Sequence, residues 1–232
     1  RPPSEQVQQR LQDGNTHTTK FLPAQAAQFT SDYEVLAQYR NDTLLPTGSG
    51  FSGTLFRTKI TDPTRGLQAG ELTLSFRSSE FIDDAVRDGK STNELEIREL
   101  GWAFGQISEM EAWYQQLRSD SNLLGGKSFN VTGYSLGGHL ATAFNILRRE
   151  AEGTDANPVL KTYTFNGAGV GELRPGKRLT DVIQTFNRLR AMPDIIASPE
   201  WNALPDSDRL IILSRVDGRL SEINGEATRV NA

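Results

Sequence analysis

Ten residues constrain this chain more than the rest of it: Asn130-Val131-Thr132-Gly133-Tyr134-Ser135-Leu136-Gly137-Gly138-His139. They place a Gly-x-Ser-x-Gly pattern between a strand-like run and a helix-like run, which is the context the pattern needs to mean chemistry. A serine lifted on so sharp a turn has a strained backbone. Its neighbours two before and two after must be small, or side chains would collide across the turn. In return Ser135 Oγ projects above the end of a sheet, with a helix N-terminus beneath it. The Leu136 N–H and the helix dipole then point at any negative charge developing on a bound carbonyl oxygen. A Gly-Ser turn without chemistry is the plain alternative. The following Gly138 and the flanking elements favour the reactive reading, with Ser135 as nucleophile and Leu136 as an oxyanion donor.

The rest of the chain supplies elements that suit this turn. Residues 1–20 are polar, with Pro2, Pro3 and Gly14-Asn15, and read as an arm or a frayed helix. Phe29, Tyr33, Leu36 and Tyr39 recur at three- and four-residue spacings, so residues 24–40 are expected to form an amphipathic helix. Residues 48–60 and 71–77 read as strands around the turn-rich 61–66. One helical face runs through Leu100, Phe104, Ile107, Met110, Tyr114 and Leu117. This predicts a helix over 95–117, with Ser91 and Glu94 as a capping box before it. A strand at 128–132, a helix at 136–150, a strand at 159–165 and a further element near 182–189 follow. Such alternation predicts an α/β fold with a mostly parallel sheet and helices on both faces. Residues 210–216 and 219–230 carry strand-type residues around Asp217-Gly218, a hairpin pattern.

Composition closes off several functions. The 232 residues suit one α/β domain, and a formal charge of -4 offers nothing to a nucleic acid or an anionic membrane. No apolar run is long enough to cross a bilayer. Without cysteine there is no thiol nucleophile, disulfide or thiolate metal site. Two distant histidines among scattered carboxylates make no metal site, and Gly167-x-Gly169-x-Gly171 has the wrong spacing for a dinucleotide loop. No cofactor is expected. The chain opens on Arg1 rather than Met, with no visible signal peptide, so its natural beginning is expected to be missing or processed.

Residues 133–141, Gly-Tyr-Ser-Leu-Gly-Gly-His-Leu-Ala, resemble the elbow of the class 3 lipases and related bacterial phospholipases. Three further blocks resemble that family in the same order. Residues 74–79, Leu-Ser-Phe-Arg-Ser-Ser, are similar to its strand ending in Phe-Arg-Gly-Thr/Ser. Residues 162–171 are similar to its Thr-Phe-Gly-x-Pro-x-Val-Gly block. Asn187 through Asp194-Ile195-Ile196 are similar to the segment that carries its catalytic acid. The resemblance implies an α/β-hydrolase-type domain over 21–205, between the 1–20 arm and the 206–232 hairpin-like segment. It implies hydrolysis of lipid carboxylic esters, of the triacylglycerol lipase or phospholipase A1 type, through an acyl-enzyme on Ser135. Asp194 would be the acid, with Asp181, Asp206 and Asp208 as competitors. Ser79 would give the second oxyanion N–H, although Ser78 stands where the family has Gly. Residues 80–93, with Phe81, Ile82 and Val86, take the place of a lid, and Phe81, Trp102 and Leu136 are candidates for the acyl wall. A lipid or small ester substrate, contact with a lipid interface and secretion from a bacterium follow from the resemblance alone.

One part of the machinery is missing from the sequence. A serine hydroxyl needs a general base, and the family places its histidine after the acid, yet no histidine follows His139. His139 shares a helix with Ser135, but the elbow turns Oγ away from the helix body. It reads as a packed helix residue, and His17 as a surface residue of the arm. The expectation is that the chain stops before the base. The rivals are a hydrolase fold without activity, used for binding, and a non-lipid carboxylesterase or peptidase.

Overall fold

The computed structural model describes residues 4–14, 20–39, 49–77, 101–173, 176 and 178–190. In chain order the elements are α1 (Ser4–Asp13), α2 (Pro23–Asp32), β1 (Tyr33–Tyr39), β2 (Gly53–Thr58), β3 (Leu72–Phe76), α3 (Phe104–Ser119), β4 (Phe129–Tyr134), α4 (Leu136–Glu152), β5 (Val159–Phe165) and α5 (Leu179–Arg190). The strands form one five-stranded sheet in the order β1-β2-β3-β4-β5. The pairings β1–β2 and β2–β3 are antiparallel, while β3–β4 and β4–β5 are parallel. The α/β expectation therefore holds, but the sheet is mixed: β1, β2 and β3 form an antiparallel meander, and parallel pairing is confined to β3-β4-β5, where the helices α3 and α4 lie between successive strands.

The expected helix over 24–40 is corrected. It stops at Asp32, and residues 33–39 pair with β2 in the register Tyr33↔Thr58 to Tyr39↔Gly53. Tyr33, Val35 and Tyr39 suit a pleated edge as well as a helix face, and the pairing partner decides. The turn before β3 is as expected. Asp62 caps a 3-10 turn at Pro63–Arg65, and Gly66 closes it in the left-handed region at φ 68°.

Among the described residues α3 and α4, with α5 packed on them, cover one face. The helix α2 meets the other beside β1 and β2, leaving Tyr134, Tyr163 and Phe165 exposed, so the expected helices on both faces hold only at that edge. Phe76 meets Phe144 of α4, and Gly53 sits so close to Trp113 of α3 that an added Cβ would lie 2.4 Å from that ring. On the other face, Phe29 of α2 stands edge-on to Phe56, 5.6 Å between centroids. The core lies between the sheet and α3, α4 and α5, around Phe51, Leu55, Leu74, Val131, Leu140 and Phe144. Arg148 is buried in it. Its guanidinium lies 4.2 Å from the Tyr114 ring centre and pairs with Glu111 and Glu152. No helix among the described residues is long and apolar enough to cross a membrane.

The α3 start is a second correction. The helix begins at Phe104, and residues 101–103 are not helical. Gly101 takes φ 76° against Gly171, and the Ala103 N–H is drawn off to His139. The capping box at Ser91 and Glu94 and the 206–232 hairpin lie outside the described residues, and the element near 182–189 is the helix α5.

Candidate active site

β4 ends at Tyr134 and α4 starts at Leu136, so Ser135 alone makes the turn between them. Its backbone stands at φ 53° and ψ -119°. Only Ser135 and Asn166 among the described non-glycine residues have positive φ. Such a conformation costs on the order of 1–3 kcal/mol and persists only where the surroundings impose it. Those surroundings are explicit. The Ser135 N–H donates to the Phe165 carbonyl at 2.9 Å. The Ser135 carbonyl accepts from Gly138 at 2.9 Å, His139 at 3.2 Å and Ala168 at 3.3 Å.

The glycines are required by contact. A Cβ at Gly133 would lie 1.9 Å from the Gly137 carbonyl oxygen. At Gly137 it would lie 2.3 Å from the Phe76 carbonyl oxygen, and at Gly138 2.8 Å from Gly167 Cα. Three strand ends thus converge on the elbow: β3 through Phe76, β4 directly, and β5 through Phe165 and Gly167. Ser135 stands at the N-cap of α4 without using its hydroxyl as a cap. Leu136 is the first residue of α4, and its N–H has no acceptor within the helix. Its side chain is buried in the core, as is that of Trp102, so both are packing residues here.

His139 is fully buried, and both of its ring nitrogens are engaged. Nε2 accepts from the Ala103 N–H at 3.1 Å, while Nδ1 faces the Gly169 carbonyl. A carbonyl can only accept, so Nδ1 carries the hydrogen and the ring is neutral. Burial pushes its pKa below the ordinary histidine value, against the smaller opposing effect of the Gly169 carbonyl. The only lone pair is taken by a backbone donor. His139 is therefore no base for Ser135.

Among the other predicted residues, Asp181 lies in the first turn of α5, paired with Arg178 at 2.7 Å. Asn187 accepts a hydrogen bond from Ser108 of α3 at 2.5 Å. Ser79, residues 80–93, Asp194, Asp206, Asp208 and His17 lie outside the described residues. The chain leaves β3 at Arg77, whose carbonyl carbon would be 3.1 Å from a Cβ on Gly137. Sequence reasoning missed the bridging role of His139. The available signal was a pair of glycines, Gly101 and Gly171, each next to a segment that the ring holds.

Exposed apolar side chains gather at the same end of the sheet. Tyr134 is 57% exposed and pairs in register with Phe165, 59% exposed; Tyr163 and Val170 are exposed nearby. Comparisons with protein-family models, with curated proteins and with solved structures find no match.

Proposed function

We propose that the chain is an α/β-hydrolase-type serine esterase that cleaves lipid carboxylic esters, with Ser135 as nucleophile. The observation that carries this reading is the backbone of Ser135, held in a strained left-handed turn between β4 and α4 by glycines on both sides. A serine that only shaped a turn would be served better by glycine. In the reaction Ser135 Oγ adds to the ester carbonyl carbon, a base takes the hydroxyl proton, and the oxyanion forms in front of the Leu136 N–H. Collapse expels the alcohol and leaves an acyl-enzyme, which water then hydrolyses. The exit of β3 beside Gly137 supports Ser79 as the second oxyanion donor. Asp194 remains the proposed acid that orients the base.

The preference for lipid esters is supported by the exposed Tyr134, Tyr163, Phe165 and Val170 around the elbow. It is tested with p-nitrophenyl esters of increasing acyl length and with phospholipid vesicles. Turnover of long-chain esters above short ones is expected; confinement to acetate would move the reading to a non-lipid carboxylesterase. A second reading, a hydrolase fold used for binding, is favoured by one observation: His139 has no free lone pair. Ester turnover that disappears in Ser135→Ala decides for the enzyme, and binding of ester without turnover in any natural form decides for the module.

A further inference from the structure

The segment that follows β5 is stitched to the elbow at successive points. Phe165 accepts from Ser135, Gly167 abuts Gly138, and Ala168 donates to the Ser135 carbonyl. Gly169 then takes the Nδ1–H of His139, and Gly171 donates to the Gly101 carbonyl at 2.7 Å. The other end of the imidazole holds Ala103, two residues after Gly101. One ring thus ties residues 101–103 and 167–171 to the first turn of α4. Trp102 closes over it edge-on at 6.1 Å. The spacing is tight, since a Cβ at Gly101 would lie 2.2 Å from Gly171 Cα.

We propose that His139 is a positioning residue whose ring, held as the neutral Nδ1–H tautomer, sets the spacing of the two loops that meet at the elbow and so fixes the direction of the Leu136 N–H. The ring suits the task. It presents an acceptor and a donor at two edges of one rigid ring, and it answers a backbone N–H on one loop and a backbone carbonyl on the other. A phenylalanine would fill the volume and satisfy neither, leaving a buried N–H and a buried carbonyl without partners. The helix from Leu140 onward does not depend on the ring, because its hydrogen bonds are its own. The strained Ser135 turn does depend on it, because Ala168 and Gly169 belong to the loop that the ring holds.

The catalytic consequence rests on the Ser135 reading, so the test has two separate arms. In the first, nitrogen-15 NMR of the whole chain should show His139 with a protonated Nδ1 and an unprotonated Nε2, unchanged from about pH 6 to about pH 9. In His139→Phe the amide signals of Ser135, Leu136 and Ala168 should move, while those of residues 145–152 hold. An Nε2–H pattern, a midpoint near the ordinary value of about 6.5, or unmoved elbow amides would overturn the proposal. Should His139→Phe fail to fold, the tautomer of the unaltered chain still decides it, with Gly101→Ala as a second disturbance of the same spacing. In the second arm, phenylboronic acid is titrated. Ser135 Oγ bonds to boron, its proton passes to solvent, and the boron becomes a tetrahedral anion that mimics the oxyanion. Binding should weaken about tenfold in His139→Phe; unchanged binding would contradict the positioning role. Failure of the unaltered chain to bind the boronate would count against the nucleophile reading and leave the NMR result standing.

Discussion

At the residue scale, Ser135 and His139 divide the work. Ser135 holds a conformation that only glycine adopts freely, at φ 53° and ψ -119°. Ser135→Gly is therefore expected to raise stability by about 1 kcal/mol over Ser135→Ala, which keeps the strain. Urea midpoints of the two variants check this, and equal midpoints would mean the turn is not strained. His139 adds a pH dependence of known sign. Its folded-state pKa is lowered by burial, so its contribution is fully present above the unfolded value of about 6.5 and is lost as pH falls below it. Denaturation from about pH 7 to about pH 5 should show stability falling in the unaltered chain and falling less in His139→Phe. The residue identities of the elbow were legible in the sequence because glycines at close contacts cannot be replaced. The role of His139 was not, because its two partners sit 36 and 30 positions away along the chain.

At the element scale, α4 is held by a buried cation. Arg148 pairs with Glu111 of α3 and Glu152 of its own helix and lies over Tyr114 and Phe144. Its removal takes the cation from Glu111, while Glu152 keeps Arg118, and empties the space over Tyr114 and Phe144, so Arg148→Ala is expected to cost about 3 kcal/mol, and Arg148→Met, which refills that space, distinctly less. Thermal melts of both variants give the comparison; equal losses would mean that charge, not packing, is what Arg148 supplies. At the other end of the sheet Arg65 joins Asp62 to Asp32, at the junction of α2 and β1. Hydrogen bonds from Thr64 and Arg65 bring the Asp62 carboxyl down to about 2, and Arg65 lowers that of Asp32. The Asp62 contribution is present above the ordinary carboxylate value and is lost as pH falls toward about 2, and that of Asp32 has the same sign. Arg65→Met should flatten that acid limb. This long-range clamp explains why the sequence misled at 24–40: periodicity alone could not show that the helix would end at Asp32. β5 and the start of α4 were readable to the residue, since strand-type residues and glycine turns bound them locally.

At the scale of the whole molecule, the sheet brings the ends of β3, β4 and β5 together around one serine. That convergence was implied by the order of the elements, whereas the antiparallel half of the sheet was hidden in the short 61–70 connection. Since His139 is held by backbone on both sides, the base for Ser135 is another group, and His139→Phe is expected to lower p-nitrophenyl ester turnover about tenfold rather than abolish it, as a positioning role requires. Complete loss of turnover in His139→Phe would instead point to His139 as the base, and steady-state kinetics of that variant decide between the two. The most direct measurement of the central claim is covalent labelling of the protein with a serine-directed phosphonate, followed by peptide mapping. The phosphorus gains a bond to one serine oxygen and loses its leaving group. The account predicts a single adduct on Ser135, absent from Ser135→Ala, with ester turnover lost in proportion to labelling. An adduct on another serine, or full turnover in Ser135→Ala, would contradict it.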